Sequence, residues 1–133
     1  LGGFDEQYVR HQDYEFLLRY FQLYKIGFAK MAKVYMCTDG NDNRLSAREL
    51  EDTKNMFLLD FSGLIQGLPQ PRRSQRHIMS AKCCHLVFAY LKERDFSNSM
   101  RITIEGLQAA RLYFILDCAR YACGYLRQKA FYA

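Results

Sequence analysis

Apolar residues recur along this chain at steps of three and four, and nowhere alternate for long enough to ask for a sheet. From Tyr14 to Met36 the recurring positions are Phe16, Leu17, Tyr20, Phe21, Tyr24, Phe28, Met31 and Tyr35, as on one face of a helix. Residues 5–12 extend this helix or form a short one of their own, and Gly27 weakens it slightly. The turn formers at 38–43 close the segment. Ser46 followed by Glu49 is a capping box, so a second helix starts there and runs through Leu50, Phe57 and Leu58 to about residue 66. Residues 67–73, with Pro69 and Pro71, read as a linker. Ser74 is expected to cap a third helix through Ile78, Cys83, Leu86, Val87, Tyr90 and Leu91. Residues 95–100 read as a second loop, and Thr103 as the cap of a fourth helix through Leu107, Phe114, Ile115, Cys118, Tyr121 and Ala122. The expected fold is all-α, with four main helices in two helix-loop-helix units, 5–66 and 74–133, within a single domain 1–133.

The two units repeat each other at an offset of 57 residues. Arg44, Leu50, Phe57, Leu59 and Asp60 recur as Arg101, Leu107, Phe114, Leu116 and Asp117. Leu45/Ile102, Ser46/Thr103, Lys54/Arg111 and Leu58/Ile115 are conservative exchanges. Self-similarity of this kind defines a building unit, here an apolar helix, a polar loop, one aliphatic residue, a hydroxyl cap and a second apolar helix.

With its short Asp/Asn-rich loop, late aliphatic residue and following Glu, the first unit resembles an EF-hand. In that family a twelve-residue loop surrounds calcium with oxygens from positions 1, 3 and 5, a carbonyl from 7 and a bidentate Glu from 12, with Gly at 6 for the bend. Counted from its head, the loop offers Asp39, Asn41 and Asn43 at positions 1, 3 and 5. Counted from its tail, Leu45, Ser46 and Glu49 fall at 8, 9 and 12. The two frames differ by one residue, as if the turn glycine were missing, and Asn43 would have to make the bend. In the second unit Asp95, Ser97, Ser99, Ile102 and Gly106 fall at 1, 3, 5, 8 and 12, and Met100 replaces the glycine, so this loop lacks the bidentate carboxylate. The resemblance covers roughly residues 25–118 and implies that Leu45 and Ile102 pair in a minimal two-stranded bridge between the loops. The exit-helix residues Leu50 and Phe57 match Leu107 and Phe114, but Lys30 and Lys33 fall where the entry helix needs apolar residues. An unrelated bundle with polar turns would show the same capped helices.

Composition narrows the chemistry. Half of the 133 residues are apolar, with ten Tyr, ten Phe and no Trp. No run is long enough to span a membrane. Leu1-Gly2-Gly3 offers neither an initiating Met nor a signal-like pattern, and the chain is expected to be an internal or trimmed segment. The five cysteines are odd in number and mostly lie in apolar helical stretches, which favours a cytoplasmic or nuclear, reducing setting. Cys83, Cys84 and His85 lack the spacing of a metal site. His11, His77 and His85 have no carboxylate at a catalytic spacing, and there is no phosphate loop or nucleophile elbow, so an enzyme is not expected. A net charge of +5 favours acidic partners but is too small and dispersed to argue for nucleic acid by itself.

The function expected from these features is a non-enzymatic, adaptor-like interaction module that docks an amphipathic helix of a partner or of its own parent chain in an apolar groove. Phe21, Phe28, Phe57 and Phe114 would shape core and groove, Arg72, Arg73 and Arg76 would assist an acidic partner, and no metal or other cofactor would be required. Surplus aromatics near the end, Tyr121, Tyr125, Phe131 and Tyr132, could line the groove or a homodimer contact. One alternative is a calcium-responsive switch through Asp39, Asn41, Asn43 and Glu49. Another is a basic helical nucleic-acid binder using Arg72, Arg73, Arg76 and Lys82.

Overall fold

The computed structural model describes residues 2–8, 12–25 and 46–131, with side chains described up to residue 124. All elements among them are helical: α1 (Gln12–Leu23), α2 (Ala47–Asp60), α3 (Ser62–Gln66), α4 (Pro71–Lys92), α5 (Phe96–Ala110) and α6 (Leu112–Phe131). No strand or bridge occurs among the described residues, and none of their helices is long and apolar enough to cross a membrane. The chain divides into two compact units, Leu1–Leu45 and Ser46–Ala133.

In the first unit α1 begins at Gln12, and residues 5–8 form a turn closed by the Tyr8 amide on the Asp5 carbonyl. The Arg19 guanidinium donates to both oxygens of the buried Glu15 carboxylate and to the Gly3 carbonyl at 2.7 Å. Phe4 lies 5.2 Å from Phe16, ring to ring. The helix expected over 14–36 ends at Leu23, Tyr24 and Lys25 are not helical, and the rest of the expected stretch, with Phe28, lies outside the described residues.

In the second unit α4 packs against α2, α3, α5 and α6. Cys83, Cys84, Leu86, Val87 and Tyr90 of α4 meet Ala47 of α2, Ile102 and Ala110 of α5, and Phe114 of α6 in one buried cluster. The capping box at the start of α2 forms as expected: the Glu49 amide donates to Ser46 Oγ and the Glu49 carboxylate accepts from the Ser46 amide. α2 pauses at Phe61 and resumes as α3, so the helical stretch to residue 66 is also as expected.

Three boundaries differ from expectation: Pro71 and Asp95, read as linker and loop, start helices, and Thr103, read as a cap, lies inside one. Pro71 is the first residue of α4, where the missing proline N–H costs nothing, so the non-helical linker shrinks to residues 67–70 and Ser74 is not a cap. Asp95 caps α5 by accepting from the Asn98 amide at 3.0 Å, which turns residues 96–100 from a loop into the first turn of the helix. Thr103 then lies inside α5 and donates its hydroxyl to the Ser99 carbonyl at 2.8 Å. The second helix-loop-helix loop is therefore not formed. Ile102 is a fully buried helical residue and cannot serve as one half of a two-stranded bridge; Leu45, its expected partner, lies outside the described residues.

The expected fourth helix is also divided. Arg111 has φ 41°, in the left-handed region that non-glycine residues rarely occupy, and it separates α5 from α6. Gly106 is what lets the two helices close on each other. A Cβ there would stand 2.6 Å from the Phe114 ring. Replacing Gly106 by Ala is expected to lower stability by about 1–3 kcal/mol in urea denaturation, as overpacking does. Combining it with Phe114→Leu should recover part of that loss, and a strictly additive double variant would show that the contact does not limit the packing.

Candidate functional site

The second unit is held in register by polar pairs as well as by its core. Glu51 on α2 is buried, accepts from the Tyr90 hydroxyl on α4 at 2.5 Å and pairs with the Arg101 guanidinium on α5 at 2.7 Å. Lys82 of α4 reaches Glu105 of α5 at 2.9 Å, and Ser80 of α4 donates to Asp117 of α6. Glu93, at the end of α4, accepts from the Ala47 amide in the first turn of α2 at 2.6 Å. Burial acts to raise the Glu51 carboxyl, but the Arg101 and Tyr90 hydrogen bonds and the charges of Arg101 and Lys82 outweigh it and hold the group below the usual carboxylate range. Burial and the adjoining Glu51 carboxylate push Tyr90 up to about 12.

What this frame leaves outside is a large apolar surface. On α5 the buried face is Ser99, Ile102, Gly106 and Ala110. A second row, Phe96, Met100, Ile104 and Leu107, advances by steps of four, four and three and is 67, 64, 49 and 39 % exposed. Such spacing keeps all four on one helical face. On α6 the inward residues are Phe114, Cys118 and Tyr121, and on the outward face Leu112, Ile115 and Leu116 are 67, 54 and 44 % exposed. Exposed apolar residues arranged in rows, rather than scattered singly, mark surfaces that bind.

The residues singled out in the sequence are dispersed. Asp39, Asn41, Asn43 and Phe28 lie outside the described residues. The Glu49 carboxylate is engaged by the Ser46 amide and hydroxyl at 2.9 and 2.8 Å. Phe21 is exposed on α1, in the first unit. Phe57 is half-buried with its ring 4.8 Å from Phe61. Phe114 is buried in the core and is not available to a partner, because the Gly106 gap is filled by its ring. Arg72, Arg73 and Arg76 are exposed in the first two turns of α4. Lys82, assigned above to a nucleic-acid surface, is buried and paired with Glu105. Tyr121 stacks on Phe88 at 4.6 Å and is half-buried, and Tyr125, Phe131 and Tyr132 have no described side chains.

Cys83 and Cys84 are buried, and burial pushes their thiols up to about 11 and about 12, so neither is activated as a nucleophile. Among the described residues no group of three or more His, Cys, Asp or Glu side chains is placed to hold a metal. The α5 row was missed in the sequence because a helix starting at Thr103 splits it. Once Asp95 is taken as the cap, the spacing from Phe96 to Leu107 is the signal. Comparison of the chain with protein-family models, with curated proteins and with solved structures gives no match.

Two stability predictions follow from this geometry. A carboxyl lowered on folding contributes fully above its unfolded value of 4.5 and loses that contribution as pH falls through its folded value. A phenol raised from 10 to about 12 loses its contribution as pH rises across that interval. The urea midpoint should therefore fall at both extremes. Glu51→Gln should flatten the acid limb. Tyr90→Phe should flatten the alkaline limb and cost about 2 kcal/mol at neutral pH, and unchanged limbs would place the linkage elsewhere. Ser46→Ala should cost about 1 kcal/mol in the same assay through loss of the α2 cap, with helicity reduced by circular dichroism.

Proposed function

We propose that this chain is a non-enzymatic interaction module whose second unit docks an amphipathic helix from a partner protein or from its own parent chain. The observation that carries this reading is the exposed α5 row, Phe96, Met100, Ile104 and Leu107. Four large apolar side chains on one helical face are costly to leave in water, at about 25 cal/mol per Å². An amphipathic helix recognises such a surface through anchors at i, i+3 or i+4, and i+7. The α5 row and the outward face of α6 supply that kind of apolar footing, where Phe57 and Phe114 do not. A cytosolic or nuclear, reducing compartment fits Cys83 and Cys84, which are packed in the core as small apolar side chains. The likeness to an EF-hand now rests on residues 39–49 alone, and the docking reading does not require metal there.

The test is selection from a displayed library of amphipathic helical peptides on the whole chain. Peptides with apolar anchors at helical spacing should be recovered. Their binding should weaken at least about tenfold in Met100→Glu and Ile104→Glu, whose exposed positions leave the fold intact by circular dichroism. Failure to recover such peptides, or binding indifferent to substitutions on both α5 and α6, would overturn the reading.

A further inference from the structure

We infer that the docked helix carries an acidic residue about one turn from an apolar anchor, and that this carboxylate seats in a recess between Arg76 and Arg111. The inference deepens the docking reading above and rests on it. The recess has about 450 Å³ of open space and is walled by Arg76 of α4, Gln108 at the end of α5, Arg111 at the junction, and Leu112 and Tyr113 of α6. Two arginines from different parts of the fold, one on α4 and one at the α5–α6 junction, therefore line one hollow. Among the described residues neither guanidinium has an ion-pair or hydrogen-bond partner. Arg101, by contrast, is held by Glu51, and Lys82 by Glu105. The basic first turns of α4 and the N-terminal, positive end of α6 add to the field at the same place.

Leu112 links the recess to the apolar surface. It is a wall of the hollow and also the first residue of the outward α6 row that continues through Ile115 and Leu116. A helix anchored on Leu112 and Leu116 and continuing past Leu112 by one turn, 5.4 Å, would reach the recess that Leu112 shares with Arg76 and Arg111. Guanidinium binds carboxylate through paired N–H donors, and a carboxylate is the acidic group that a helical protein segment offers there. A helical protein segment is the better fit than nucleic acid, because Leu112 joins the recess to the exposed aliphatic side chains Ile115 and Leu116, which offer a base no partner.

The inference is tested with the same kind of library, its helices carrying apolar anchors and randomised terminal turns, selected on the whole chain. Wild type should enrich Asp and Glu three or four positions from an anchor. Arg76→Glu combined with Arg111→Glu should lower the affinity of those peptides at least about tenfold and enrich Lys and Arg instead. The milder pair Arg76→Gln and Arg111→Gln should remove the acidic preference while circular dichroism and the urea midpoint stay unchanged. Apolar helices selected without any acidic preference would overturn this inference and leave the docking reading standing. No helix selected at all would overturn both. Binding of a single-stranded oligonucleotide that is lost in the same arginine variants would assign the recess to nucleic acid and overturn it. So would a wild-type dimer that becomes monomeric in Leu116→Glu, because a second copy would then cover the row.

Discussion

Glu51 is the constraint on which the arrangement of the second unit depends. It is one carboxylate on α2, buried, and met by a phenol from α4 and a guanidinium from α5. Taking that charge out of water is costly, and the cost is offset only while both partners are in place. The position of α2 is thereby tied to the α4–α5 pair at a single depth. Apolar packing alone would tolerate sliding more readily, because hydrophobic contact is not directional. Glu93 on the Ala47 amide fixes the other end of the same helix. The Lys82–Glu105 and Ser80–Asp117 pairs do for α5 and α6 what Glu51 does for α2.

α4 takes a partner on several sides, and of its large apolar side chains only Leu91 is exposed among the described residues, so most of the free apolar surface of this unit lies on α5 and α6. The core holds small side chains where helices meet: Ala47, Cys83, Cys84, Gly106 and Ala110. Small residues let the backbones approach, and beyond Ile102 and Phe114, which fill the core, several large side chains of α5 and α6 stand on the outside. The same distribution that makes the core tight therefore makes the surface adhesive. This is a physical reason to see a binding role in the outer face rather than in the aromatic residues that stand out by eye.

Parts of this were legible in the chain. Ser46 and Glu49 sit three apart before an apolar run, and both halves of that capping box form, because capping depends on neighbours in sequence. The heptad-like run from Cys83 to Tyr90 is likewise buried where its periodicity puts it. Asp95, Ser97, Asn98 and Ser99 were ambiguous in principle, since residues that favour turns also favour helix N-termini. Pro71 was ambiguous for the same reason, breaking a helix from inside and opening one from its first turn. The repeat at an offset of 57 is real in sequence but does not repeat in structure: Ser46 opens a helix, whereas Thr103 lies in the middle of one. Nothing local announced Glu51 as a junction, because its partners stand 39 and 50 residues away. Arg76 stood out in the sequence as a basic residue, but that it shares a recess with Arg111, at the junction of two other helices, did not.

The turn between α4 and α5 carries a consequence for the order of assembly. Only residues 93–95 separate these helices, and Arg94, at φ 62°, folds the chain back on itself. Closing so short a loop costs little chain entropy, and the Ser99 hydroxyl then meets the Val87 carbonyl across the new hairpin, 12 residues away. Seating Glu51 on Tyr90 requires a far longer loop to close, and its reward exists only after Tyr90 and Arg101 have been brought side by side. The α4–α5 hairpin is thus the part that closes at least entropic cost, and the contacts of Glu51 are complete only where that hairpin already stands.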